Sequence, residues 1–446
     1  MFDVAIVGGG PAGLAAAYEL EKTGLAVILL EQSARLGGRA RTVDICGEPV
    51  NMGAMFVYSG TASHELALTL DVPLVPFEPR TFGIHANGAT VVCEDDGQLI
   101  EQLPLPEKSK RELAAFIERT RAEYSSNTDH GQLRPHDPCL GDESAQSRLD
   151  GLPPDVMAIL TSAIRGGSVA HPSELSATYA LRYFASYLMR EKNNRWVSTE
   201  GMQAIPSALS KSLKNTEIRL MSRVDSVTQD GNRRWSIGIG RAGQEHPRTV
   251  ETIQTAHVIL AVPAPRIASI AELPQWKREA LEKAKTPGGS VLGVVADISA
   301  PDLAEFDDWA FVAAAGRLFD VIVNPRPGRR DGLAQFVCYG NTNGYMPEAN
   351  DPSSGAIERW LEEFFAVAPK LRGRVLGAEL CSWEHCFSLL TPRRNSVLHQ
   401  LRAPVDGTMH FAGDYSSETA GTHGAYSEAR RVSEEIIKHF AASRTS

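Results

Sequence analysis

The residues best suited to chemistry stand close to the start of the chain. Three glycines in the pattern G-x-G-x-x-G and one acidic residue carry the signal: Gly8, Gly10, Gly13 and Glu31. Apolar residues 4–7 and 26–30 predict two buried strands, and the small residues 12–20 between them predict a helix. Such a unit presents backbone N–H groups and the positive end of a helix dipole to a pyrophosphate. The stretch therefore predicts a dinucleotide site.

Each residue of this pattern has a distinct predicted role. Gly8 allows a tight turn, Gly10 allows backbone N–H groups to approach the pyrophosphate, and Gly13 allows the helix to pack closely on the strand. Glu31 is placed to accept a hydrogen bond from a ribose 2′-hydroxyl, and its charge argues against a 2′-phosphate. The predicted phosphate-binding set also includes Pro11 and Ala12.

A second copy of the glycine pattern occurs at Gly238, Gly240 and Gly243. The pattern alone is weak evidence, because it needs a strand before it and a helix after it. Residues 244–247, Gln-Glu-His-Pro, do not begin a small-residue helix. We interpret this copy as a strand that runs into a hairpin turn, with no ligand.

The first pattern continues into residues 36–41, LGGRAR. A strand–glycine unit with an acidic end to its second strand, followed closely by Gly-Gly-Arg, resembles the FAD-binding opening of the flavoprotein amine oxidase superfamily. That superfamily includes monoamine and polyamine oxidases, L-amino-acid oxidases, protoporphyrinogen oxidases, carotenoid desaturases and renalases. The resemblance implies that Gly38 lets the backbone approach the flavin and that Arg39 pairs a phosphate oxygen through a bidentate fork. The alternative is a surface turn with solvated arginines.

Two internal stretches are also similar to the superfamily. Gly53 and Ala54 stand where a small pair usually lies against the flavin ring, so the resemblance implies that they contact FAD together with Met55. Asn51 replaces the usual acidic residue, and a hairpin turn without a ligand is the alternative. Val224 matches the position whose backbone holds adenine.

The end of the chain carries a second resemblance. Residues 409–415, MHFAGDY, and the run GTHGAYSEARR after them are similar to the superfamily's closing strand and helix. By this resemblance Gly413 ends the strand, and Asp414 hydrogen-bonds the ribityl or phosphate part of FAD. Thr422 and His423 begin a helix directed at the flavin N1–O2 edge, where its dipole stabilises negative charge.

Chain length and element order predict the domain organisation. A chain of 446 residues is long for one core and suits two domains. We expect an α/β fold whose Rossmann-like FAD-binding domain combines a parallel βαβ sheet with a small antiparallel sheet. Its predicted segments are residues 1–75, 200–265 and 392–446. Residues 76–199 and 266–391 are predicted to form a discontinuous α+β substrate domain.

Composition narrows the possible partners. The net charge of −9 gives no basic surface for nucleic acid or an anionic membrane. The six cysteines lack the spacing of a metal site, and no secretory signal precedes the first strand, so we predict a reducing cytoplasm and no metal. No apolar run reaches the roughly 18 residues that span a bilayer, so no transmembrane segment is expected. The oligomeric state is not predicted.

The chain departs from the superfamily at positions that affect its chemistry. Many family oxidases carry a lysine on a substrate-domain strand, and Gly293 stands in its place here. The covalent-flavin cysteine of monoamine oxidases falls at Pro392, not at Cys386, so noncovalent FAD is expected. The paired tyrosines that enclose an amine are also missing, with Leu389 and Leu390 near the first position. For this reason the resemblance does not define an amine substrate.

His423 is the candidate catalytic residue. The helix dipole is expected to lower its pKa and keep the ring neutral near pH 7. The alternative is a histidine that hydrogen-bonds the flavin or the backbone and takes no part in the chemistry. Three aromatic residues are candidates for lining the pocket or for plain core packing: Trp196, Trp383 and Tyr426.

These observations predict an FAD-dependent oxidoreductase. It would remove two electrons, as a hydride to flavin N5, from a small organic metabolite by C–N, C–C or C–O oxidation or by desaturation. Molecular oxygen or another acceptor would reoxidise the flavin, and no second dinucleotide site for NAD(P)H is evident. The alternatives are a non-redox flavin-dependent isomerase and a binding protein that keeps the FAD fold without catalysis.

Overall fold

The computed structural model describes most of the chain. The described residues are 2–129, 132–133, 141–188, 195–230, 234–241, 250–340 and 344–445. In chain order their strands are β1 (Phe2–Val7), β2 (Val27–Leu30), β3 (Thr42–Ile45), β4 (Glu48–Asn51), β5 (Val57–Tyr58), β6 (Leu74–Pro76), β7 (Phe82–Ala86), β8 (Ala89–Cys93), β9 (Thr128–Asp129), β10 (Gln132–Leu133), β11 (Arg195–Ser198), β12 (Glu217–Arg219), β13 (Ser222–Gln229), β14 (Trp235–Arg241), β15 (Glu251–Leu260), β16 (Gly289–Asp297), β17 (Phe311–Ala314), β18 (Val321–Val323), β19 (Leu333–Gly340), β20 (Val375–Trp383) and β21 (Met409–Phe411). The α-helices are α1 (Pro11–Glu21), α2 (Ala62–Thr69), α3 (Asp96–Gln102), α4 (Glu107–Asn127), α5 (Gln146–Leu149), α6 (Pro154–Ser168), α7 (Ala177–Leu188), α8 (Ala204–Ser212), α9 (Ala264–Ile270), α10 (Gln275–Glu282), α11 (Glu305–Asp308), α12 (Ala356–Val367), α13 (Leu398–Arg402) and α14 (Thr422–Thr445).

The first large sheet has the order β12-β2-β1-β15-β14-β13, and β21 also pairs with β15. Strands β12, β2, β1, β15 and β21 run parallel to their neighbours, whereas β13 and β14 extend the sheet in antiparallel fashion. Strands β2 and β21 are buried throughout, and the last four residues of β1 and of β15 are buried as well, as expected for parallel strands covered on both faces. This arrangement confirms the predicted Rossmann-like sheet with a small antiparallel extension.

Strand β15 brings the two ends of the chain together. Strand β15 pairs with β1 along one edge. Along its other edge, the C-terminal half of β15 pairs with β21, with Val258 opposite Met409. The first and last α-helices also pack together through small residues, and Ser433 Oγ donates to Ala16 O at 3.5 Å. The residues after β1 and those after β21 therefore lie at the same carboxyl edge of the sheet.

The second large sheet has the order β20-β16-β19-β18-β17-β7-β8. Its pairs are antiparallel except for β17 with β7. Alternate residues of β16 face opposite sides because side chains alternate along a strand. Val291 packs toward α6 and α7, and Leu292 packs toward α12 and its buried Trp360. This sheet with helices on both faces is the predicted α+β domain.

The predicted domain boundaries need one correction. Residues 266–284 were assigned to the substrate domain, yet α9 and α10 pack on the first sheet. Ile267 and Leu281 share a buried cluster with Leu260 of β15. A small sheet, β5-β11-β6, joins strands from both sets of predicted segments. The boundaries therefore remain a prediction outside this region.

Helices α6 and α7 are separate elements, because α6 ends at Ser168 and α7 begins at Ala177. Val169 takes a left-handed conformation (φ 50°), and His171-Pro172 follows, which separates the helices. Strand β15 runs without interruption from Glu251 to Leu260. Gly238 and Gly240 lie in β14 as predicted, while Gly243 lies outside the described residues. No described helix has the length and apolar character needed to cross a bilayer.

Candidate active site

A cavity of about 840 Å³ opens at the carboxyl ends of the parallel strands. Every residue predicted to contact the cofactor lines it except Gly13. The lining members of that set are Gly8, Gly10, Pro11, Ala12, Glu31, Gly38, Arg39, Gly53, Ala54, Met55, Val224, Gly413, Asp414, Thr422 and His423. Ligands of open α/β sheets bind in such a crevice.

The glycine end of the cavity, which comprises Gly8, Gly10, Pro11, Ala12 and Glu31, leaves room for a phosphate. A Cβ on Gly10 would meet no atom within 4 Å, so open space lies at the start of α1. Gly8 has a φ of +107°, and a Cβ there would lie 2.6 Å from Ala261 O. A Cβ on Gly13 would lie 1.9 Å from Gly8 O, so only glycine at this position lets α1 pack against the turn at Gly8. The cradle fits a pyrophosphate held by backbone N–H groups.

The Glu31 carboxylate is held by its own surroundings. Gly9 N donates to Oε2 at 2.7 Å, and Ser33 N and Oγ both donate to Oε1 at 2.8 Å. Each carboxylate oxygen accepts more than one hydrogen bond, so capacity remains for a ribose hydroxyl in the cavity. This geometry fits the predicted role.

Arg39 and Asp414 form an ion pair across the cavity wall. Arg39 Nη2 donates to Asp414 Oδ1 at 2.9 Å and Nη1 donates to Oδ2 at 3.2 Å. Asp414 Oδ2 also accepts from Ser388 N at 3.1 Å, and the Asp414 side chain is 4% exposed. Both Nη atoms of the Arg39 fork therefore face a carboxylate in this structure, and the contact of Arg39 with a phosphate stays a prediction.

Arg394, which the sequence did not single out, shapes the loop after β21. Its guanidinium donates to the backbone carbonyls of Tyr415 and Ser417, and burial lowers its pKa to about 10. Tyr415 Oη in turn donates to Leu260 O at 3.0 Å. These bonds fix the chain from Gly413 to the start of α14.

The strand end at Gly53 approaches the cavity closely. A Cβ on Gly53 would lie 2.0 Å from Arg39 O, and Ala54 N donates to that same oxygen at 3.1 Å. Tyr339 Oη donates to Gly53 O at 2.9 Å from the second sheet. Asn51, at the unusual position, binds Met202 N through Oδ1 at 2.8 Å and thus has a structural role.

Val224 lies on β13 at a register shift in its pairing with β14. Its neighbours Arg223 and Asp225 form an ion pair at 2.7 Å and line the same part of the cavity. Ser222 N donates to Glu31 O at 2.8 Å, so β13 begins beside Glu31, where the sequence predicts the adenine contact. Nothing in the arrangement opposes that prediction.

Another part of the cavity wall, which we call the Arg182 chamber, consists of Tyr58, Tyr179, Arg182, Tyr183 and His423. The Arg182 guanidinium carbon lies 4.5 Å from the centre of the Tyr58 ring, and Nη1 donates to Tyr179 Oη at 3.0 Å. The rings of Tyr58 and His423 meet edge to face at 5.8 Å. The chamber thus combines aromatic walls with a fixed cation.

Burial and positive charge in the chamber shift the pKa values of His423 and Tyr58. Burial, followed by the charge of Arg182, lowers the pKa of His423 to about 3, so the ring is neutral at pH 7. Burial raises the pKa of Tyr58, but Arg182 and Arg195 outweigh this effect and the net pKa is lowered. The predicted direction for His423 agrees with the structure, but burial and an arginine cause it instead of the helix dipole alone.

Strand β16 contributes an apolar residue. Val291 lines the cavity, whereas a Cβ on Gly293 would lie 2.7 Å from Val50 Cγ1, away from it. The cavity-facing position of this strand is therefore Val291, and the described lining residues include no lysine. Cys386 also lines the cavity, and burial raises the pKa of its thiol to about 12. A thiol at this pKa is a poor nucleophile near pH 7.

Of the three aromatic candidates, only Trp383 lines the cavity. Its Nε1 donates to Met52 O at 2.7 Å. Trp196 Nε1 donates to Ser59 Oγ at 2.7 Å, and Tyr426 lies on α14 with its side chain buried in the core. The paired tyrosines of the family remain absent from their expected positions, but Tyr58, Tyr179 and Tyr183 give the cavity aromatic walls from other elements. Tyr179, Arg182 and Tyr183 are spaced to share one face of a helix, and this spacing was the only sequence signal for the chamber. Helices packed in a protein core show the same spacing.

Comparisons with known proteins agree with this geometry. A family model described as flavin containing amine oxidoreductase matches residues 11–437. A probable flavin-containing monoamine oxidase A of Dictyostelium discoideum is 24% identical over 478 residues, covering 98% of this chain and 97% of that protein. Polyamine oxidase 2 of Arabidopsis thaliana is 22% identical, covering 97% of this chain and 87% of its own.

The structure of cyclohexylamine oxidase from Brevibacterium oxydans IH-35A has the same fold, with a TM-score of 0.73 at 18% identity and 99% coverage of both chains. The family match spans nearly the whole chain, from Pro11 at the start of α1 to Ile437 in α14. The chain therefore belongs to the family of flavin-containing amine oxidoreductases, and it is an FAD-dependent oxidoreductase.

Proposed function

We propose that the protein oxidises a carbon–nitrogen bond in a small metabolite within the cavity. Bound FAD supplies the acceptor for two electrons, which leave the substrate as a hydride. The observation that carries the proposal is a single cavity whose wall contains both the glycine end and the Arg182 chamber. A substrate in the chamber would share the cavity with the cofactor.

The chain's own residues would hold the cofactor noncovalently. Backbone N–H groups at Gly10 and the start of α1 bind the pyrophosphate, and Glu31 accepts from the adenosine ribose. Arg39 and Asp414 hold each other and thereby fix the wall between the first sheet and the loop that contains Ser388. The raised pKa of the Cys386 thiol supports noncovalent attachment.

The Arg182 chamber would orient the substrate and exclude water. Tyr179 and Tyr183 are each less than 8% exposed, and His423 lies edge-on to Tyr58. Since His423 is neutral at pH 7, it can accept a hydrogen bond from a substrate N–H or donate one, but it is a weak base. We therefore assign its role as orientation, with proton transfer as the alternative.

The electron acceptor is either oxygen or another oxidant. The described residues that line the cavity include no lysine, and Val291 is the lining residue that β16 contributes. We therefore expect reoxidation of the flavin to proceed without a lysine in the cavity. The cytoplasmic location stays a prediction from the sequence.

A flavin-dependent isomerase remains a second candidate, because Arg182 and Arg195 both line the cavity and a diphosphate substrate would need arginines. Anaerobic mixing separates the two reactions. We expect the purified protein to be yellow and an oxidisable substrate, drawn from a panel of amines and amino acids, to bleach its visible bands. Turnover without bleaching would favour the isomerase, and a colourless protein that takes up no FAD would contradict both.

A further inference from the structure

The chamber's cation distinguishes it from the rest of the cavity wall. Of the four other arginines that line the cavity, three lie beside carboxylates: Arg39 with Asp414, Arg223 with Asp225, and Arg266 with Glu384. The fourth, Arg195, lies against the rings of Phe56, Phe77 and Phe311. Arg182 differs from the three arginines that lie beside carboxylates. Among the described residues its hydrogen-bond partners are the phenols of Tyr179 and Tyr58, and none is a carboxylate.

A half-buried cation without a counter-ion is costly. Removing charge from water carries a large desolvation penalty, which a paired anion offsets and a phenol offsets only in part. The ring of Tyr58 contributes a cation–π contact, which is weaker than an ion pair. Arg182 is therefore poised to bind an anion that enters the cavity.

The charges of the lining residues disfavour a cationic substrate in the chamber. The acidic residues that line the cavity are Glu31, Asp225, Glu384 and Asp414. Glu31 is held by Gly9 and Ser33, and the other three are paired with arginines. A protonated amine in the chamber would meet Arg182 without a carboxylate beside it.

We propose that the substrate carries a carboxylate and that Arg182 binds it within the aromatic chamber. The planar guanidinium matches a carboxylate through two parallel hydrogen bonds, and its position on α7 is fixed by Tyr179. This inference rests on the proposed function and narrows it to anionic or zwitterionic substrates. The oxidised carbon would lie elsewhere on the same molecule.

Ligand binding to the FAD-loaded protein tests this inference. Benzoate, benzylamine and benzyl alcohol have the same ring and differ in charge, and each can be titrated while shifts in the flavin bands are recorded. We expect benzoate to bind at least about tenfold more tightly than benzylamine, because only the anion can form a charge-assisted hydrogen bond with Arg182.

Three variants locate the effect. We expect Arg182→Met to weaken benzoate binding about 10- to 100-fold and to leave benzyl alcohol unchanged, while Arg182→Lys keeps part of the affinity. Arg119→Met is the matched control, since Arg119 is an exposed arginine on α4 outside the cavity. It removes the same charge and should bind benzoate like the wild type.

The wild-type comparison decides the matter even if Arg182→Met does not fold. Benzylamine binding as tightly as benzoate, or benzoate binding unchanged in Arg182→Met, would overturn the inference while leaving oxidation of a C–N bond intact. A wild-type protein that holds no FAD would instead overturn the proposed function, and the inference with it.

Discussion

The two parts of the cavity handle charge in opposite ways. Near the loop after β21, Arg39 and Asp414 neutralise each other, and the Asp414 side chain is 4% exposed. In the Arg182 chamber the cation has only phenols as partners among the described residues. A paired charge stabilises the fold, whereas an unpaired one costs stability and provides affinity for a ligand. The comparison separates residues that hold the cavity together from a residue that is available for binding.

The largest effect is expected where the backbone leaves no space. Gly13→Ala places a Cβ 1.9 Å from Gly8 O, so the turn that holds the pyrophosphate must move. We expect the free energy of unfolding to fall by about 3 kcal/mol and FAD to be lost. Thermal unfolding and the flavin absorbance measure the two effects. In contrast, Gly10→Ala meets no atom and should fold normally while binding FAD weakly.

The next effect concerns the paired charges. Asp414→Ala leaves Arg39 beside an empty space and should lower the free energy of unfolding by about 2–3 kcal/mol. This is less than for a fully buried pair, because 29% of the Arg39 side chain is exposed. Glu384→Ala breaks the exposed pair with Arg266 and should cost less than about 1 kcal/mol. Equal losses of unfolding free energy for Asp414→Ala and Glu384→Ala, measured by urea unfolding, would contradict the distinction between the buried and the exposed ion pair.

A smaller effect follows from the neutral histidine. The folded pKa of His423 is about 3 and its ordinary value is 6.5, so the unfolded chain binds more protons between these values. The protein should therefore lose stability as the pH falls below 6.5, and His423→Gln should remove about 2 kcal/mol of that loss by pH 5. His257, whose pKa is also about 3, still contributes its own loss of stability at low pH in this variant. Melting temperatures from pH 7 to 5 show whether the slope decreases, and an unchanged slope would refute this role of burial and Arg182.

The smallest effect is expected for Arg182 itself. Arg182→Met should change the free energy of unfolding without ligand by less than about 1 kcal/mol, or increase it, because the lost cation has no carboxylate partner in the described structure. Urea unfolding of the ligand-free protein is the measurement. A loss as large as that of Asp414→Ala would mean that the chamber's cation is structural.

The glycine end could be predicted because its information is local. Gly8, Gly10 and Glu31 lie within one βαβ unit, where chain order alone determines which groups meet. Arg39 and Asp414 were each recognised by resemblance, but the sequence did not show that they pair with each other. Their contact depends on β15 bringing both chain ends to one edge.

The Arg182 chamber could not be predicted from the sequence, because its residues also meet only through long-range contacts. Tyr58 and Arg195 become neighbours only through pairing of β5 with β11, and α7 exists as a separate helix because the chain breaks after Ser168. The aromatic residues of α7 also serve in the core, as the buried Phe184 does. Helical spacing alone does not distinguish a buried face from a cavity wall.

The most direct test of the account is the titration of flavin-free wild-type protein with FAD, followed by flavin fluorescence. We predict saturable uptake of an equimolar amount of FAD, because both ends of the chain build one site. A folded protein that takes up no FAD would contradict the account.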